Sequence, residues 1–215
     1  MKTRYAILLS AILFIYLPDA LPQKSIYTFP FENEYRLPAM KTAINMDEIS
    51  STYQTMGNIY TTEITGFGDK YEQRSMSFIS DAKVVDAVRF LEFYMEEQLI
   101  SSGQDPVGEL EMSIIYYHEH SRFSLGSVVG ILTIGLGTLC GVPFATAIVD
   151  VEIEASLYNM ADIPFASYRG VGRGKKPQSI YSFSTRRAHQ RAVKKAITDL
   201  NGKIMTDQSL MSIFP

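Results

Sequence analysis

From Val149 to Leu157 apolar and polar residues alternate without a break. Val149, Val151, Ile153, Ala155 and Leu157 are interleaved with Asp150, Glu152, Glu154 and Ser156. Successive side chains of a strand point to opposite faces, so this run predicts a half-buried strand with its acids in water. Asn159–Asp162 reads as a turn, and Pro164–Val171 as the returning arm of a hairpin. A second alternating run, Glu109–His120, sets Leu110, Met112, Ile114 and Tyr116 against Glu109, Glu111 and Ser113. On this strand His118 and His120 share a face and Glu119 points away from it.

Two segments carry the helical period instead. After a cap at Ser80 or Asp81, the residues Val84, Ala87, Val88, Leu91, Met95 and Leu99 fall on one face, and Gly103 supplies a stop. Phe90, Phe93 and Tyr94 read as core. From Ser184 or Thr185 onward, Val193, Ala196, Ile197, Leu200 and Ile204 line up likewise, with Asn201-Gly202 as a point of fraying or ending. His189 reads as an exposed helix residue. Asn58–Phe67 and Arg74–Ile79 have strand character. The expected fold is α+β: an antiparallel sheet of Glu109–His120, Val149–Tyr158 and Pro164–Gly172, with the helices Asp81–Ser102 and Thr185–Ile204 on one face. Residues 57–207 would form this domain. Residues 21–56, with Pro22, Pro30 and Pro38, read as irregular, and 208–215 as a tail.

The N-terminus reads as a secretory signal peptide over residues 1–20. Lys2 and Arg4 precede the uncharged run Ala6–Leu17, and Pro18, Asp19 and Ala20 follow. That run is too short for a bilayer core, which needs roughly 20 residues of helix. The chain has one cysteine, Cys140, so no internal disulfide is available. No cysteine stands directly after the apolar run to carry a lipid, so lipid anchoring at the mature N-terminus is not expected. The expected location is the periplasm or the outer-membrane-associated cell envelope.

Between the two alternating strands lies a long run without a charged side chain, Ser124–Val149. It contains Gly126, Gly130, Gly135, Gly137 and Gly141, with Leu132 and Ile134 near its middle. This insert is long enough to enter a bilayer. Its glycines would allow close packing in lipid. Three readings compete: a membrane-inserted or intersubunit element, a buried connection over the sheet, and a single-pass stop-transfer helix. The acids directly after the segment count against the last.

Residues 169–203 hold ten Lys and Arg and one acid, Asp199, while the whole chain is at −3. Arg173, Lys175, Lys176, Arg186, Arg187, Arg191, Lys194 and Lys195 are candidates for a surface that meets anionic lipid headgroups. Gly170–Pro177, GVGRGKKP, reads as a basic loop and lacks the spacing of a phosphate-binding loop. Nucleic acid is not an expected partner of an exported protein. His118 and His120 alone do not make a metal site, and no cofactor is expected. No nucleophile motif or HExxH pattern is present, and the Asp150, Glu152 and Glu154 stripe reads as a solvated sheet face.

The order strand, helix, strand, apolar insert, hairpin, helix resembles small bacterial envelope modules of the lipoprotein type. The ending VDVEIEASLYNMADIPFASYRGVG then STRRAHQRAVKKAITDL carries that likeness, and the insert GSVVGILTIGLGTLCGVP is similar in style to that of TraT-type outer-membrane lipoproteins. The resemblance is architectural and brings no site residues with it. The expected function is a non-catalytic envelope protein that contacts a membrane or assembles into a homo-oligomer. The alternative is a soluble exported ligand-binding or enzymatic domain whose insert lines a pocket.

Overall fold

In chain order the protein forms β1 (Lys41–Ile44), α1 (Met46–Gly57), β2 (Ile59–Thr65), β3 (Lys70–Met76) and α2 (Asp81–Tyr94), which runs on through a π-helical turn, Met95–Leu99. Then come β4 (Gly108–Phe123), β5 (Ala145–Asn159), β6 (Pro164–Gln178) and α3 (Arg186–Thr206). This computed structural model describes residues 27–57, 59–65, 70–76, 81–103, 105–123, 139, 141–208 and 210. Residues from Phe31 onward belong to one unit. The signal-peptide residues 1–20 lie outside the described residues, as do 211–215 of the tail.

The fold is α+β, as the two periodicities require. The sheet runs β3-β2-β4-β5-β6, and β1 also pairs with β4. β4, β5 and β6 are antiparallel neighbours, but β1 and β2 both join β4 in parallel, so the sheet is mixed and not purely antiparallel. On β5, Ala145, Ala147, Val149, Val151, Ile153, Ala155 and Leu157 are all buried beneath the helices. Burying such a side chain contributes about 1.5–3 kcal/mol for Val, Ile or Leu. α3 adds Ala192, Val193, Ala196, Ile197, Leu200 and Ile204, the stripe its period implied.

Further sequence expectations change. Residues 21–56 are not wholly irregular: they contain β1 and most of α1. The Asn45 side chain accepts from the Glu48 backbone N–H at 3.0 Å, which caps α1 and ends the irregular run. The stretch Gly170–Pro177 is strand, not loop. Gly170, Gly172 and Gly174 face α3, where an added Cβ would collide with the carbonyl oxygens of Ala196, Ala192 and Ala188. Glycine there lets the helix lie on the strand backbone.

A register shift between Ile114 and Tyr116 turns Tyr117, Glu119 and Ser121 inward and leaves Tyr116, His118 and His120 on the outer face. Finally, α3 does not end at Asn201-Gly202. Asn201 is buried and accepts hydrogen bonds from Tyr94 Oη at 2.9 Å and Asn33 Nδ2 at 2.8 Å, which hold the helix to Thr206.

Candidate membrane-contact surface at one end of the sheet

The β4–β5 ladder runs from Gly108↔Asn159 to Phe123↔Ala145. As a connection the uncharged stretch is therefore shorter than Ser124–Val149: Ala145 to Val149 are core strand, and only 124–144 join the two arms. Paired positions on adjacent strands lie about 4.5–5.5 Å apart. A segment pinned in this way leaves and returns on one side, so the single-pass reading is excluded. Gly126, Gly130, Leu132, Ile134, Gly135 and Gly137 lie outside the described residues. Gly141 is described, with φ +83°, a left-handed conformation that suits glycine, and it lies against the Tyr181 ring.

Aromatic groups gather where the connection returns. Tyr181 Oη donates to the Leu139 carbonyl at 2.6 Å, and the Phe144 and Phe183 rings are 5.6 Å apart. Leu139, Tyr181 and Phe183 are 62%, 73% and 59% exposed, and Phe123, paired with Ala145 at the end of β4, is exposed too. Lys176 Nζ donates to Ser182 Oγ and the Ser184 carbonyl at 2.7 Å each, which fixes the turn that carries these rings.

β6 ends and α3 begins at this end of the sheet, so most of the basic candidates assemble here. They do not act as equals. Arg186 grips buried Asp86 through two hydrogen bonds, 2.6 and 2.7 Å. Burial alone would raise the Asp86 carboxyl, but the bonds from Arg186 and Gln190 outweigh it and hold it below its usual range. Arg173 pairs with Asp150, and Arg191 donates to the Lys175 carbonyl. Lys194 lies 6.0 Å from the Phe90 ring centre, and burial lowers its pKa. That leaves Lys175, Arg187 and Lys195 with neither an ion pair nor a side-chain hydrogen bond or ring contact among the described residues. Arg186 and Arg187 both sit in the first turn of α3, which has no acid, against the helix dipole. Asp86 compensates Arg186. Among the described residues Arg187 has no such compensation. Arg122 is also exposed here, with Glu63 of β2 as its register partner.

Beneath this end lies a polar network that the sequence did not reveal. Glu119 is buried with Lys83 Nζ at 2.5 Å and accepts from Tyr117 Oη at 2.7 Å. Burial would raise the Glu119 carboxyl, yet Lys83 and these bonds hold it down. Tyr53 stacks on Tyr117 with ring centres 4.4 Å apart, and its Oη is 2.5 Å from His189 Nε2. His189 is fully buried, not exposed as expected, and its Nδ1 has no partner among the described residues. Burial pushes its pKa down to about 3.

On the outer face His118 and His120 stack at 5.3 Å, and among the described residues no group of three or more His, Cys, Asp or Glu could hold a metal ion. Nor is any described helix long and apolar enough to cross a membrane.

No family model matches the chain, and no curated protein matches it. Among solved structures, the crystal structure of a Xanthomonas campestris protein of the family model DUF330 aligns over 83% of this chain and 88% of its own, at 13% identity and a TM-score of 0.37. A likeness that distant transfers neither fold nor function.

Proposed function

We propose that this protein is a non-catalytic, exported component of the cell envelope that contacts anionic membrane surfaces through the insert end of its sheet. One observation carries the reading: the pairing Phe123↔Ala145 returns the uncharged connection to its starting point, beside exposed aromatic rings and cations that have no ion pair among the described residues. Apolar groups to enter the headgroup region and cations to meet phosphates are the two ingredients of interfacial binding. Phosphate oxygens near the start of α3 would also relieve the unfavourable placement of Arg187.

The test is flotation with vesicles of phosphatidylcholine alone and with added phosphatidylglycerol. The parent should float with the anionic vesicles, less so at high salt. The double variant Lys175→Glu, Arg187→Glu should lose roughly 30-fold in affinity, from about 1 kcal/mol for each cation removed. Replacing Leu132 and Ile134 by Asp should abolish flotation and leave the fold intact. A parent that never floats, together with unfolding of the Asp variant, would favour instead a soluble exported domain that buries its insert around a ligand.

A further inference from the structure

The strands at the two ends of the main path of the sheet, β6 and β3, are treated differently by the fold. β6 is plugged by α3: Lys203 Nζ donates to the Arg169 carbonyl at 2.7 Å, Asp199 Oδ2 accepts from the Val171 N–H at 2.9 Å, and Arg191 donates to the Lys175 carbonyl at 2.9 Å. An added strand would have to displace all three. β3 pairs with β2 over its full length, Thr65↔Lys70 to Ile59↔Met76, and no described strand pairs with its other side.

The residues of β3, KYEQRSM, have a symmetry that its own sheet does not use. Within the chain Glu72 is opposite Glu63, a like charge, and Arg74 is opposite Thr61. Like charges directly opposed disfavour a pair, and opposite charges favour it. Antiparallel pairing of β3 with a second β3, centred on Gln73, places Glu72 opposite Arg74 twice and Gln73 opposite itself. Charges on an outer strand ordinarily discourage pairing; here the two-fold register converts them into a match.

We propose that β3 is a self-association edge, and that its partner is β3 of a second copy of this chain in antiparallel register about Gln73. The contact is isologous and closes at two copies. Because the strands run oppositely, the two insert ends point to opposite sides, and a dimer presents one membrane-contact surface at each extremity. The inference extends the assembly side of the proposed function and stands without membrane contact.

The experiment uses the protein with Cys140→Ser as background. Gln73→Cys should form a disulfide-linked dimer under mild oxidation, because opposed Cα positions in such a pair lie within bridging distance. Tyr71→Cys, whose opposite residue would be Ser75, should not. In sedimentation velocity Arg74→Glu should weaken the dimer at least 10-fold, and the swap Glu72→Arg with Arg74→Glu should restore it. A parent that stays monomeric throughout overturns the proposal, as does a dimer indifferent to Arg74→Glu or cross-linked equally at 71 and 73. Lys175→Glu, Arg187→Glu should leave the dimer intact and Arg74→Glu should leave vesicle flotation intact, so failure of one reading is told apart from failure of the other.

Discussion

Tyr53 Oη and His189 Nε2 meet at 2.5 Å in the buried layer between the sheet and its helices, and this bond joins α1 to α3. Tyr53 also stacks on Tyr117 of β4, so one side chain links both helices to the central strand. Tyr53→Phe should keep the stacking and leave a buried ring nitrogen unpaired. The expected loss is about 1–3 kcal/mol in urea unfolding, with the folded circular dichroism unchanged. Tyr53→Ala should lose more, because it also opens a cavity.

Acid sensitivity follows from the same layer. The His189 pKa is lowered on folding to about 3, so between its ordinary value and that value the unfolded chain binds the proton and the folded chain does not. Stability is therefore full above about pH 6.5 and declines as pH falls toward 3, by up to about 1.4 kcal/mol per pH unit. Asp86 and Glu119, both held below their usual range, add loss at lower pH, as protons compete for their ion pairs. His189→Gln should flatten the decline between pH 6.5 and 5 and leave the steeper acid limb in place. Equal slopes for parent and variant would remove His189 from this account.

The glycines of β6 and α3 make a matched pair of tests. Gly172→Ala would drive a methyl into the Ala192 carbonyl and should destabilise by roughly 1–3 kcal/mol, with α3 displaced from the sheet. Gly202→Ala meets nothing within 4 Å in the interior of α3 and should stabilise by about 0.4–1 kcal/mol. Thermal melts of both variants at one pH suffice.

Removing the plugs on β6 should change association more than stability. Asp199→Ala with Lys203→Ala should open the edge at Arg169 and Val171. Light scattering should then show growth beyond a dimer, since a molecule with two open edges can propagate. A variant that scatters like its parent would mean that these two contacts do not guard the edge.

The strands that bury one face were legible because acids marked the other, as on β5. The course of β6 was not: its inward positions are Gly170, Gly172 and Gly174, and glycine reads as turn chemistry when it is in fact making room for α3. His189 falls four residues before Val193 and seven before Ala196, so it lies on the buried stripe of α3. Spacing gave the signal, and the polar residue type obscured it. The inward turn of Glu119 depends on one register shift at Ile114/Tyr116, which no local pattern announces. α1 was missed because, among its described side chains, only Ile49, Thr52 and Tyr53 are buried, too few to show a helical stripe. The basic candidates were found as residue types, but which of them Asp86, Asp150 and the β6 carbonyls occupy is a matter of tertiary placement.

The pairing of Phe123 with Ala145 also has a kinetic side. Before β4 and β5 can zip, the chain must close the whole loop 124–144 where a tight hairpin turn would serve. Closure entropy rises by about 0.6 kcal/mol per doubling of loop length, so the longer connection costs about 2 kcal/mol and slows the central hairpin of the sheet. A version with residues 124–144 replaced by Asn-Gly should fold faster and melt higher. The length of the connection thus weighs on the rate at which the central hairpin closes, whatever the segment does once the chain has folded.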